Sequence, residues 1–109
     1  MESYDVRLKD LKTGNITDIT VTVEEQDGMI VMSSEIADAE FSVKHRDFFT
    51  AFLILRDELH ETGYRMLCAG AKNNAVQSGM MAGSDRVYLI KDGEDPKPSD
   101  AVGIFDYME

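Results

Sequence analysis

Asp47-Phe48-Phe49-Thr50-Ala51-Phe52-Leu53-Ile54-Leu55-Arg56-Asp57-Glu58-Leu59 is the stretch that decides the fold, because here the spacing of the apolar residues changes. Phe48, Phe52, Leu55 and Leu59 fall at i, i+4, i+7 and i+11, one stripe of an α-helix, and Phe49 and Leu53 widen it. Asp47 is placed to accept hydrogen bonds from the free amides of the first turn. Gly63 is placed to adopt the left-handed conformation that stops the helix.

Upstream of this stretch the period is two. Tyr4, Val6 and Leu8 alternate with Asp5, Arg7 and Lys9, and Ile19, Val21 and Val23 alternate with Asp18, Thr20, Thr22 and Glu24. Lys12-Thr13-Gly14-Asn15 supplies turn residues between them, so the two runs predict a hairpin. Asp27-Gly28 signals another turn before Met29-Ile30-Val31-Met32, and Ala39, Phe41 and Val43 alternate with Glu40, Ser42 and Lys44. Downstream, Tyr64, Met66 and Cys68 alternate with Arg65, Leu67 and Ala69 as a fifth strand, and Arg86 to Lys91 makes a sixth.

The predicted fold is α+β, an antiparallel sheet of about six strands in the order ββββαββ, with one principal helix packed on one face and residues 1–109 forming a single domain. One helix covers one face, so the polar half of each alternation, Asp18, Thr20, Thr22, Glu24, Glu40 and Ser42, is expected on solvent. Gly70 to Asp85 reads as a loop long enough to hold a short helix. Residues 92 to 100, with Pro96 and Pro98, read as a second loop, and Ser99 as a cap for a turn before Phe105.

Composition bounds the function. Apolar residues make up 43% and charged residues 29%, an ordinary globular balance. The amino terminus lacks a basic and apolar signal segment, and no run approaches the ~18 apolar residues of a membrane span, so a cytoplasmic location is expected. Net charge is −10, and it is regional. Asp18, Glu24, Glu25, Asp27, Glu35, Asp38 and Glu40 all lie between Lys12 and Lys44, a segment with no lysine or arginine. Such a chain repels phosphate backbones and anionic lipid, which argues against nucleic acid and membranes as partners, and it attracts a cationic protein.

Little in the chain points to catalysis. Cys68 is the one cysteine, so no internal disulfide forms, and its alternation with Tyr64 and Met66 places it among apolar groups, where a thiol stays protonated. His45 and His60 flank the helix about four turns apart, too far to serve one metal ion. Asp57, Glu58 and Glu61 gather in the last helical turns, where they oppose the helix dipole, an arrangement that suits a basic partner. The loop from Gly70 to Gly83 lacks both phosphate-binding glycine patterns. No metal or other cofactor is expected.

Tyr64-Arg65-Met66-Leu67-Cys68-Ala69-Gly70-Ala71, then Ser78-Gly79-Met80 and Arg86-Val87-Tyr88-Leu89, resembles a family of small uncharacterised bacterial proteins with a Leu-Cys-x-Gly-Ala, Ser-Gly-Met, Tyr-x-Leu pattern. Val76-Gln77 stands where that pattern carries Tyr-Pro. The resemblance covers about a quarter of the chain, implies a bacterial origin and carries no activity with it. In class the chain is also similar to the immunity proteins of bacterial toxin systems, which are small, acidic and α+β. The expected function is therefore an acidic binding protein, foremost an immunity protein that neutralises a cationic toxin. The alternatives are a regulatory or adaptor module, homodimeric through a strand edge, and a small enzyme using Cys68 or the Asp57, Glu58 and Glu61 group.

Overall fold

The computed structural model describes residues 1–79, 81–90 and 100–109. Four strands run first: β1 (Glu2–Asp10), β2 (Ile16–Gln26), β3 (Met29–Ile36) and β4 (Ala39–His45). The helix α1 (Phe48–Glu61) follows, then β5 (Tyr64–Met66), a 3-10 turn at Ala69–Ala71, β6 (Ala75–Val76), β7 (Arg86–Leu89) and β8 (Ala101–Gly103). Strands β1 to β5 form a curled antiparallel sheet in the order β4-β3-β2-β1-β5, and β6-β7-β8 form a second, three-stranded sheet.

The hairpins follow from local chemistry. Asp10 closes the first by accepting, through Oδ1, the amides of Lys12 at 2.8 Å and Thr13 at 3.3 Å. The other two turn on residue pairs with positive φ, Asp27 (53°) with Gly28 (79°) and Ala37 (49°) with Asp38 (67°), the hand that matches strand twist. The two-residue period then sends Val6, Leu8, Ile19, Val21, Val23, Met32, Ile36 and Val43 to the core face. Ser34 is buried there too, and its hydroxyl donates to the Thr20 carbonyl at 2.9 Å.

The helix lies over this face and buries Phe48, Ala51, Phe52, Leu55 and Leu59. Asp47 caps it as expected, accepting the Thr50 amide at 2.9 Å and the Thr50 hydroxyl at 2.7 Å. Gly63, at φ +98°, ends it. His45 braces the entry, its Nδ1 accepting the Asp47 amide at 3.0 Å.

After the helix the chain departs from the expected order. The fifth strand stops at Met66, and Cys68 makes instead an isolated bridge with Tyr107. The predicted sixth strand exists as Arg86–Leu89, but it pairs with β6 and β8 outside the five-stranded sheet. Gly70 to Asp85 contains part of the 3-10 turn and β6, and β8 was not expected at all. The reason is packing: Gly70 donates its amide to the Ile104 carbonyl at 2.9 Å, and a Cβ on Gly70 would stand 2.6 Å from Ile104 Cγ2 and 3.0 Å from Phe52 Cε2. The last residues thus insert into the core, with Ile104 and Phe105 buried, and draw the preceding strand away from the main sheet. The expected loop at Pro96 and Pro98, the cap at Ser99, and Lys91 at the end of the sixth strand lie outside the described residues, as does Met80 of the Ser-Gly-Met pattern. Among the described residues no helix is long and apolar enough to cross a membrane.

Candidate functional site

Strand register decides which carboxylates meet. Asp18, Glu24 and Glu40 stand on the face the helix leaves uncovered, as expected, and Glu35 stands there with them. They do not form one cluster. Asp18 lies opposite Arg7 and pairs with it at 3.7 Å, whereas Glu35 lies opposite Glu40 beside the Ala37-Asp38 turn. Asp27 and Asp38 occupy the two turns at opposite ends of β3. Glu25 alternates to the other side of β2 from Glu24.

The strand ends nevertheless bring two of these residues to one place. Glu24 and Glu25 at the end of β2, Glu2 at the start of β1 and Asp85 before β7 line a groove of about 440 Å³. Its apolar lining comes from Met1, Tyr4, Val23, Ile30 and Phe48, and among the described residues no lysine, arginine or histidine lines it. Glu2 reaches the groove because it sits opposite Val23 in the hairpin register. Tyr4 anchors it: the ring stacks on Phe105 at 4.4 Å, the hydroxyl donates to Glu2 Oε2, and Asp85 Oδ2 lies 3.5 Å from the Tyr4 hydroxyl oxygen. Burial, reinforced by the two carboxylates, raises the Tyr4 phenol well above its ordinary value, so it remains a proton donor. Gln26 Nε2 donates to Glu24 Oε1 at 2.7 Å.

Sequence reasoning missed Glu2 and Asp85. Counting the register back from the Gly14 turn would have placed Glu2 beside the end of β2; nothing in the sequence marks Asp85, which arrives through the tertiary fold.

The helix end differs. Asp57 accepts two hydrogen bonds from Arg56, from Nε at 3.0 Å and Nη2 at 2.8 Å, while Glu58 and Glu61 are exposed. Beside them a second groove of about 500 Å³ is lined by Arg56, His60, Arg65 and Lys72 together with Asp57. The surface around Asp57 is therefore mixed in charge, unlike the groove at Glu24 and Glu25.

Cys68 is buried, at 1% exposure, and burial pushes its thiol up to about 12. Among the described residues no three of His, Cys, Asp and Glu come together in a way that could hold a metal ion.

No family model matches the chain, and comparison with curated proteins likewise yields no match.

Proposed function

We propose that the chain is a binding protein that receives a basic segment of a protein partner in the groove between Glu2, Glu24, Glu25 and Asp85, and most concretely that it is an immunity protein neutralising a cationic toxin. One observation carries this reading: Glu2, Glu24, Glu25 and Asp85 line one partly apolar groove to which, among the described residues, no lysine, arginine or histidine contributes. A lysine or arginine laid there rests its methylene stem on Val23, Ile30, Phe48 and Tyr4 and presents its charged head to the carboxylates. The −10 net charge adds long-range attraction for a basic partner, which raises the association rate more than the final affinity.

Calorimetric titration with a lysine- and arginine-rich peptide, and with a glutamate-rich control, tests the broader reading. The basic peptide is expected to bind and the acidic one not. Replacing Glu24, Glu25 and Asp85 together by lysine is expected to weaken binding at least about ten-fold with the circular dichroism spectrum unchanged, since exposed charge changes cost under about 0.5 kcal/mol each in stability. Equal affinity in wild type and triple variant sinks the groove as the site. The narrower reading is checked by co-expression with a toxin domain encoded beside the gene for this chain. Growth in the presence of that domain is the expected result, and failure to protect discards the immunity role.

A further inference from the structure

The hydrogen-bond parity of the main sheet can be followed strand by strand. Hairpin β2–β3 closes at Gln26 opposite Met29, and hairpin β3–β4 closes at Ile36 opposite Ala39, each on a two-residue turn. In antiparallel pairing the bonded pairs alternate, so Met29, Val31 and Ser33 bond to β2, and Ile30, Met32, Ser34 and Ile36 bond to β4. On β4 the residues that bond inward are Ala39, Phe41, Val43 and His45. Glu40, Ser42 and Lys44 therefore turn their amides and carbonyls outward.

Strand β4 is the terminal strand of the five-stranded sheet, and among the described residues no backbone group of Glu40, Ser42 or Lys44 has a bonded partner. All three residues are exposed. An edge of seven residues without proline or bulge is a template for another strand. Its side chains say which one. The described residues hold two ion pairs, Arg7 with Asp18 and Arg56 with Asp57, and Lys44 belongs to neither. Glu40 lies directly opposite Glu35 of β3, a like-charge opposition that costs stability in the isolated sheet.

We propose that the chain forms a two-fold dimer by antiparallel pairing of β4 with β4 of a second copy, Ser42 opposite Ser42, so that Glu40 of each copy lies opposite Lys44 of the other. This register uses all three outward-facing residues as bonded pairs, and both of its charged pairs are of opposite sign. Centring the contact on residue 40 sets glutamate against glutamate, and centring it on residue 44 sets lysine against lysine. On the inner face the same register brings half-buried Phe41 against Val43 of the second copy. Lys44 of the second copy also arrives beside the Glu35 and Glu40 pair and neutralises it. The interface is isologous, as a closed dimer requires, and the two five-stranded sheets become continuous. The proposal is independent of the groove, to which no β4 residue contributes.

Sedimentation equilibrium of the full chain tests it. The wild type is expected to associate reversibly to twice its 12.2 kDa mass. Glu40→Lys alone and Lys44→Glu alone are each expected to weaken association about ten-fold or more, because each sets two like-charge pairs across the edge. Mixing those two variants is expected to restore a dimer, since every cross-edge pair is again of opposite sign, and the double variant Glu40→Lys with Lys44→Glu is expected to dimerise by itself. The charge swap needs no refolding of the strand, and the circular dichroism of each variant verifies its fold. A wild type that stays monomeric at several hundred micromolar overturns the proposal, as does a dimer that survives both single reversals unchanged or a mixture of the two that fails to associate.

Discussion

Asp47 shows how one side chain sets the start of the helix. Hydrogen bonds from the Thr50 hydroxyl and amide hold its carboxyl below the ordinary carboxylate value, since both favour the charged form. A depressed folded value means that the cap's stabilisation is complete above the unfolded value of about 3.9 and is lost as pH falls through the lower folded value. Asp47→Ala is therefore expected to cost about 1 kcal/mol at neutral pH, with the gap between variant and wild type narrowing below about pH 4. Chemical denaturation across that range measures it, and a gap that stays constant to about pH 2 rules out the carboxylate as the source. This cap, like the Gly63 stop, was legible in the sequence because it depends only on residues within one helical turn. The Tyr4 pairing with Glu2 and Asp85 was not, since Asp85 belongs to a segment distant in sequence.

The four hairpin strands and the helix keep their periodicities, two and 3.6 residues, because each buries one face against the same core. Strand β5 buries Met66 in that core but runs for only three residues. Leu67 donates its amide to the Arg7 carbonyl at 2.9 Å, but its carbonyl accepts from Met108 at 3.1 Å, and the chain turns into the 3-10 turn. The alternation running through Cys68 and Ala69 was therefore read as one strand where two short structures meet. Gly70 is the hinge of that change, fixed by the close approach of Ile104 and Phe52. Gly70→Ala is expected to destabilise the protein by about 1 to 3 kcal/mol, the cost of overpacking a filled core. Thermal unfolding measures it, and an unchanged melting temperature means that the turn and the last residues are not packed together.

Across the whole molecule, the last residues join helix, sheet and groove. Phe105 stacks on Tyr4 and meets Phe48 and Phe52 edge-on, at ring distances of 6.2 and 5.4 Å. Phe105→Ala is expected to cost about 3 to 5 kcal/mol, out of a domain total of roughly 5 to 15 kcal/mol, and to release Tyr4 from its position in the groove. Denaturant unfolding gives the first quantity, and the ultraviolet titration of Tyr4 gives the second, its ionisation falling towards the ordinary phenol range as burial is lost. A stability loss below about 1 kcal/mol means that Phe105 does not hold the core together. The sequence by itself determined the α+β class, the hairpin of β1 with β2 and the turn before β3, the helix with both its ends, and the acidity of the segment from Asp18 to Glu40, because these depend on local period, turn residues and composition. Only the tertiary structure decided that β6, β7 and β8 form a second sheet, that Glu24 and Glu25 line one groove with Glu2 and Asp85, and that β4 is the terminal strand of the five-stranded sheet. Those outcomes depend on which surfaces remain to be covered once the first four strands and the helix have packed, and residues far apart in the chain settle that together.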